Sequence, residues 1–208
     1  MNPSEIAPTK TNLFDYKGQL SFSIDGHNLL EEKRDVLVMH LMETVAQMKE
    51  VRGKLNQLLE DSYRLLDFVR MELGEHEMTR IVLGSRDVTK LNVVEKSVMG
   101  VSIPTIRFAQ DPSRVPMISF LSGSESYDRL VNNVREIMRL IVQVAQVEAS
   151  AWRLAFEIKK TQRRVNALEN VFIPEFREII KFIQDTLEER ERETFFQMKR
   201  IKNAKEGA

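Results

Sequence analysis

Residues 48–72, MKEVRGKLNQLLEDSYRLLDFVRME, carry the pattern on which the fold turns. Met48, Leu55, Ser62 and Val69 recur at heptad spacing, and Val51, Leu58, Leu65 and Glu72 repeat the same interval. Alternating steps of three and four put both series on one stripe of an α-helix, the seam of a two-stranded coiled coil. The outer face is rich in Glu, Lys, Arg and Gln, all good helix formers. No proline interrupts the chain between Pro8 and Pro104, so the helix extends both ways from this stretch. It is expected over residues 13–78, after an N-terminal extension of residues 1–12 and with Asn12 as the capping side chain. At the α-helical rise of 1.5 Å per residue, such a helix spans on the order of 95 Å, too long for the interior of a globular domain.

A second proline-poor tract supplies its partner. Leu130, Val134, Ile137, Ile141, Val144, Glu148, Ala151, Ala155 and Ile158 follow one another at steps of four and three. Val165, Leu168, Phe172, Phe176, Ile179, Ile183 and Leu187 continue the stripe. This helix is expected over residues 125–202, opened by Ser124 as cap, with a tail at 203–208. Two helices of similar length joined through an insert imply an all-α fold, a long antiparallel two-helix coiled coil. In a simple register Met48 and Val51 lie near Trp152 and Ser150, and Gly26 falls near Pro174. Because Pro174 removes a helical hydrogen bond and Gly18 and Gly26 are permissive, a bend or local spreading is expected there.

The insert, residues 79–124, has a different composition. Leu91–Ser97 and Val101–Phe108 are rich in Val and Ile around Met99-Gly100, which predicts a short β-hairpin. Residues 109–123 read as an irregular return. A two-stranded ribbon is marginal alone, so the hairpin is expected to lean on the helices or on a partner.

Composition narrows the function classes. Lys and Arg total 31, as do Asp and Glu, giving a formal net charge of zero. Binding to nucleic acid usually requires a basic excess. Cysteine is absent, which removes disulfides, thiolate zinc sites and thiol nucleophiles. No stretch reaches 18 uninterrupted apolar residues, so direct membrane insertion is not expected. His27, His40 and His76 are too scattered for a metal site. No Gly-rich phosphate loop of the GxxxxGK[ST] type occurs, and no cofactor is expected. The Leu187–Glu193 run, LEERERE, reads as a solvated, self-paired face.

The features that remain point to partners. Lys159, Lys160, Arg163 and Arg164 gather positive charge on one broad face beside an apolar seam, a pattern of a contact surface. Phe14, Phe22, Leu37 and Val38 exceed what a two-stranded seam consumes, and Met39, Met42, Met48 and Met71 are adaptable fillers or contacts.

Specific strings carry a resemblance over nearly the whole chain. EIKKTQRRVNALENVFIPEF (157–176), PTKTNL (8–13), GHNLLEEKRDVL (26–37), NVVEKSVMGVSIP (92–104) and the closing LEERERETFFQMKRIKN resemble the signatures of the D subunit of the V-type and archaeal-type rotary ATPases. The chain departs from the family pattern at Thr9-Lys10-Thr11, and Asp25, Glu31 and Glu32 dilute the positive charge near its start. The resemblance implies a central-stalk rotor shaft on the cytoplasmic side of a membrane-bound complex. Such a shaft is non-catalytic and couples ATP hydrolysis or synthesis to ion transport. It implies A and B subunits of the catalytic ring around the helix termini, a small F subunit on the exposed coiled coil, and a funnel-shaped subunit at the lower end. Within the matching strings, the partner-contact candidates are Lys159, Lys160, Arg163, Arg164, Asn166, Glu169, Pro174, Lys33, Arg34, Arg190, Arg192, Val93, Val94 and Val101. The alternative reading is a free-standing coiled-coil chaperone or tether; a nucleic-acid-binding rod and an independent enzyme rank below it.

Overall fold

Helix formation starts three residues earlier than the sequence implies, because Thr9 and not Asn12 is the cap. The Asn12 amide donates to Thr9 Oγ1 at 3.2 Å, which satisfies one of the amides a helix start leaves orphaned, and the Leu13 amide donates to the Thr9 carbonyl at 3.0 Å as the first bond within the helix. Asn12 Nδ2 turns back to the Ala7 carbonyl at 2.8 Å. The computed structural model describes residues 6–84, 90–109 and 125–206. In chain order these form helix α1 (Lys10–Gly84), strands β1 (Lys90–Val98) and β2 (Val101–Ala109), helix α2 (Glu125–Ala167), a π-helical turn (Leu168–Phe172) and helix α3 (Ile173–Glu206). The irregular return beyond Ala109 and the Ser124 cap lie outside the described residues. The chain divides into two compact units, Met1–Val36 with Ile158–Ala208, and Leu37–Glu157.

In the Leu37–Glu157 unit, the heptad reading of α1 holds along its first seam. Leu55, Ser62 and Val69 are buried, and Ser62 satisfies its hydroxyl on the Leu58 carbonyl at 2.6 Å. Val51, Leu58 and Leu65 are half-buried, while Glu72 is exposed. Antiparallel pairing is visible in Arg52 beside Glu148 at 3.9 Å and in the packing of Val69 with Tyr127 and Leu130. Met48 and Trp152 line one hollow, as the simple register requires. The α2 stripe departs from the sequence reading at three places, the first at Val134, which is 48% exposed. Ile141 is 44% exposed and Ala155 is exposed, whereas Leu140 is half-buried and Leu154 is 2% exposed. Ideal helical rotation drifts against a strict heptad, so alternating steps of four and three slide off the seam over several turns.

The interruption of α1 is at Gly74, with φ 78° and ψ 160°, the only non-helical backbone inside it. That conformation is open to glycine almost alone. Gly18 and Gly26 stay helical, and a Cβ on either would meet nothing within 4 Å; their lack of a side chain answers no local crowding.

The hairpin forms as expected, with Val98 opposite Val101 and Leu91 opposite Phe108. Met99 (φ 51°) and Gly100 (φ 79°) make the turn, both left-handed as a two-residue type I′ connection demands. Pro104 pairs opposite Glu95, on the side of β2 turned from β1, where its missing amide breaks no ladder bond. The hairpin leans on α2: the Ile106 amide donates to Gln146 Oε1 at 2.9 Å. Arg153 Nη1 donates to the Ser102 carbonyl at 2.7 Å and to Glu95 Oε1 at 3.2 Å.

In the other unit, the first turns of α1 pair antiparallel with the end of α2, the π turn and α3. Lys10 meets Glu191 at 3.0 Å, the Tyr16 and Phe176 rings lie 6.1 Å apart, and Arg34 Nη1 donates to Gln162 Oε1 at 3.3 Å. Thr161, Val165, Ile179 and Ile183 are almost fully buried. The irregularity expected at Pro174 is a π turn just before it, in which the Ile173 amide reaches the Leu168 carbonyl. Phe172, placed in the seam by periodicity, is 45% exposed, and Ile173 is buried at 9%. The fold class is the one read from the sequence, paired long helices with a small β-hairpin insert.

Candidate partner-contact surfaces

Several charged side chains of the helices pair within the chain, as Lys54 does with Glu50 and Arg129 with Glu125, so apolar exposure is the better guide to candidate contact surface. In the unit containing the termini, Arg34 is only partly exposed. Its guanidinium meets Asp35 at 2.7 Å and Glu31 at 3.1 Å, and the Asp35 hydrogen bond in particular raises its pKa above the ordinary arginine value. Lys33 beside it is half-buried. Arg34 is therefore tied to its own helix and to Gln162, and its role is to position as much as to display charge.

Lys159, Lys160, Arg163 and Arg164 all face solvent, and steps of three and four keep them on one broad side of α2. Asn166 is exposed and accepts from Gln162 Nε2 at 2.7 Å, while its carbonyl accepts from Asn170 Nδ2 at 3.0 Å. Glu169 lies in the π turn, and Pro174 is exposed just after it. Arg190 reaches the Pro8 carbonyl at 3.4 Å, and Arg192 pairs with Glu188 at 3.6 Å; both bind within the unit.

Apolar side chains crowd the same unit's surface. Phe14 and Phe22 are each 79% exposed. Phe14 joins Leu13, Lys17, Gln184 and Leu187 around an open hollow. Phe195 and Phe196 stack edge to face at 6.5 Å, and both face solvent with Met198 and Ile201. Apolar display on this scale makes this face a candidate contact surface.

The Leu37–Glu157 unit has a surface the sequence reading did not single out. Trp152, the chain's one tryptophan, is 79% exposed. It borders two hollows, one lined by Leu41, Met48, Glu148, Ala151 and Ala155, the other by Gly100, Val101, Ser102, Arg153, Phe156 and Glu157. A tryptophan at an outward position of a coiled-coil helix was the available signal, since large aromatics anchor interfaces. Of the hairpin valines, Val93 and Val94 are exposed, but Val101 is buried at 7% and offers little area to a partner.

Among the described residues no group of His, Cys, Asp and Glu is placed to hold a metal ion, and no helix is long and apolar enough to cross a membrane.

The family model for the ATP synthase D subunit matches residues 12–203. The V-type ATP synthase D subunit of Thermotoga neapolitana is 38% identical over 197 residues, covering 95% of this chain and 97% of that protein. The A-type ATP synthase D subunit of Pyrococcus furiosus is 34% identical over 201 residues, covering 95% and 94%. That of Methanosphaera stadtmanae is 34% identical over 199 residues, covering 95% and 93%. With the match running from the first turn of α1 to the last turns of α3, the chain belongs to the ATP synthase D-subunit family, the central-stalk component of V-type and A-type rotary ATPases.

Proposed function

We propose that this chain is the rotor shaft on which a small F subunit and a funnel-shaped linking subunit assemble. As a central-stalk component it is non-catalytic and couples the catalytic A/B ring to the membrane rotor. The observation that carries the finer reading is the large exposed apolar area on paired helices, around Phe14, Phe195 and Phe196 in one unit and around Trp152 and Phe156 in the other. A chain enclosed by partners needs such area, whereas a solitary coiled coil would expose it to aggregation.

The physical role follows from differential contact. A shaft with unlike faces meets the catalytic sites of a ring differently at each angle, and each site is biased by the free energy of that contact. The bias is a coupling free energy between ATP chemistry and rotor angle, and it acts in both directions. Apolar faces suit this task, because they turn against a wall without breaking fixed ion pairs. In this reading the helix termini sit within the A/B ring, with Lys159, Arg163 and Arg164 among the contacts. The F subunit takes the Trp152 side, and the hairpin edge at Val93 and Val94 faces the funnel-shaped subunit.

Reconstitution with the F subunit tests the reading. A stoichiometric one-to-one complex, weakened about tenfold or more by Trp152→Ala with Phe156→Ala, is the expected result. Failure of the unaltered chain to bind the F subunit, or recovery of mixed client proteins in its place, overturns it in favour of a chaperone or tether.

A further inference from the structure

The π turn at Leu168–Phe172 has two physical explanations that predict different behaviour. One is Pro174: in an α-helix its ring collides with the carbonyl four residues earlier, that of Asn170, and it lacks the amide that would bond there. The other is the spacing of the seam. Before the turn, Leu154, Ile158, Thr161, Val165 and Leu168 follow at steps of four and three; after it, Ile173, Phe176, Ile180, Ile183 and Leu187 follow at three and four. The two series join by a step of five, from Leu168 to Ile173.

An α-helix turns about 100° per residue, so a step of five overshoots a full turn by roughly 140° and would carry Ile173 away from the seam. A π turn takes up one additional residue per turn. The burial pattern shows the result: Val165 is 2% exposed and Ile173 9%, while Phe172, the residue four beyond Leu168, is turned out. The Ile173 amide bonding to Leu168 is the five-residue hydrogen bond that absorbs the excess.

We propose that this π turn is a one-residue phase corrector, imposed by the apolar spacing and not by Pro174, that keeps the seam continuous by expelling Phe172 in favour of Ile173. Deleting Phe172 leaves Leu168 and the former Ile173 four residues apart, and the two series merge into one uninterrupted α-helical stripe. The π turn is then unnecessary. The seam tolerates the loss of one residue at this level and not elsewhere along α2.

The test uses the full chain in a Pro174→Ala background, which removes the proline's own demand. Crystal structures and thermal unfolding of three variants decide it: Pro174→Ala alone, with Phe172 deleted, and with Lys159 deleted as control. Pro174→Ala alone keeps the Ile173-to-Leu168 hydrogen bond. The Phe172 deletion abolishes the π turn and melts within about 4 °C of Pro174→Ala, whereas the Lys159 deletion, which throws Thr161, Val165 and Leu168 off the seam, lowers the midpoint by about 10 °C or more. Loss of the π turn in Pro174→Ala alone overturns the proposal. A Phe172 deletion that unfolds the chain, or costs as much as the Lys159 deletion, overturns it equally.

Discussion

Arg153 Nη1 lies 3.2 Å from Glu95 Oε1, so that a side chain of α2 grips β1 while also donating to the Ser102 carbonyl of β2 at 2.7 Å. Ser102 Oγ completes the arrangement by donating to Glu95 Oε2 at 2.7 Å. A two-stranded ribbon that would be marginal in water is thereby given a fixed seat.

This seat titrates. The Ser102 hydrogen bond first, then the hydrogen bond and charge of Arg153, hold the Glu95 carboxyl below its ordinary 4.5. Because the folded value is depressed, the stabilisation is present above about the unfolded value and is lost as pH falls through the folded one. Carboxyl-carbon NMR of Glu95 will give a midpoint below 4.5, and Arg153→Ala and Ser102→Ala will each raise it. A midpoint at or above the ordinary value in the unaltered chain contradicts the seat.

Gly74 and Gly53 make a second comparison, since a Cβ meets open space at both. Only the backbone differs. At Gly74, with φ 78° and ψ 160°, alanine must be strained by on the order of 1–3 kcal/mol. At helical Gly53, alanine stabilises by up to about 1 kcal/mol through helix propensity. Urea unfolding of Gly74→Ala and Gly53→Ala therefore shifts in opposite directions; equal shifts would mean that the break in α1 is absent in solution.

The seam of α3 carries the stability of its unit. Ile183 is fully buried, and Ile183→Ala will cost about 2–5 kcal/mol through lost burial and the cavity left behind. Phe195→Ala, on a residue 62% exposed, will move the free chain by less than about 0.5 kcal/mol. Denaturant unfolding of the two variants checks the contrast. A large loss at Phe195 would mean that it packs within the chain.

Lys159, Arg163 and Arg164 give the complementary case. Replacing all three with Gln will leave the melting midpoint within about 3 °C, because exposed charges contribute little to folding. Binding to the A/B ring will fall about tenfold or more at low salt, and less at high salt, as screened contacts do. Unchanged affinity at low salt removes this face from the interface.

The sequence made legible what repeats. Leu55, Ser62 and Val69 were readable because a heptad states its own phase, and the hairpin because Met99-Gly100 separates two β-branched runs at a two-residue turn. Ile141 and Phe172 were misplaced because apolar residues stood at two adjacent phases, and only packing chooses between them: Leu140 over Ile141, Ile173 over Phe172. Gly74 was unreadable against Gly18 and Gly26, since composition does not tell a helical glycine from a left-handed one. The Thr9 cap was missed because Thr9 and Asn12 are both capping types three residues apart. The contact candidates were legible where charge clustered. Trp152 was legible as a large aromatic at an outward helix position, whereas the Arg153–Glu95 seat joins segments far apart in sequence, which leave no periodic mark.

Single-molecule rotation tests the shaft most directly. With the A/B ring fixed to a surface and a bead attached to this chain, ATP should drive unidirectional rotation of the bead in three-fold steps, as one shaft visits three catalytic sites. A chain that binds the ring while the bead stays still during continued ATP hydrolysis would contradict the account.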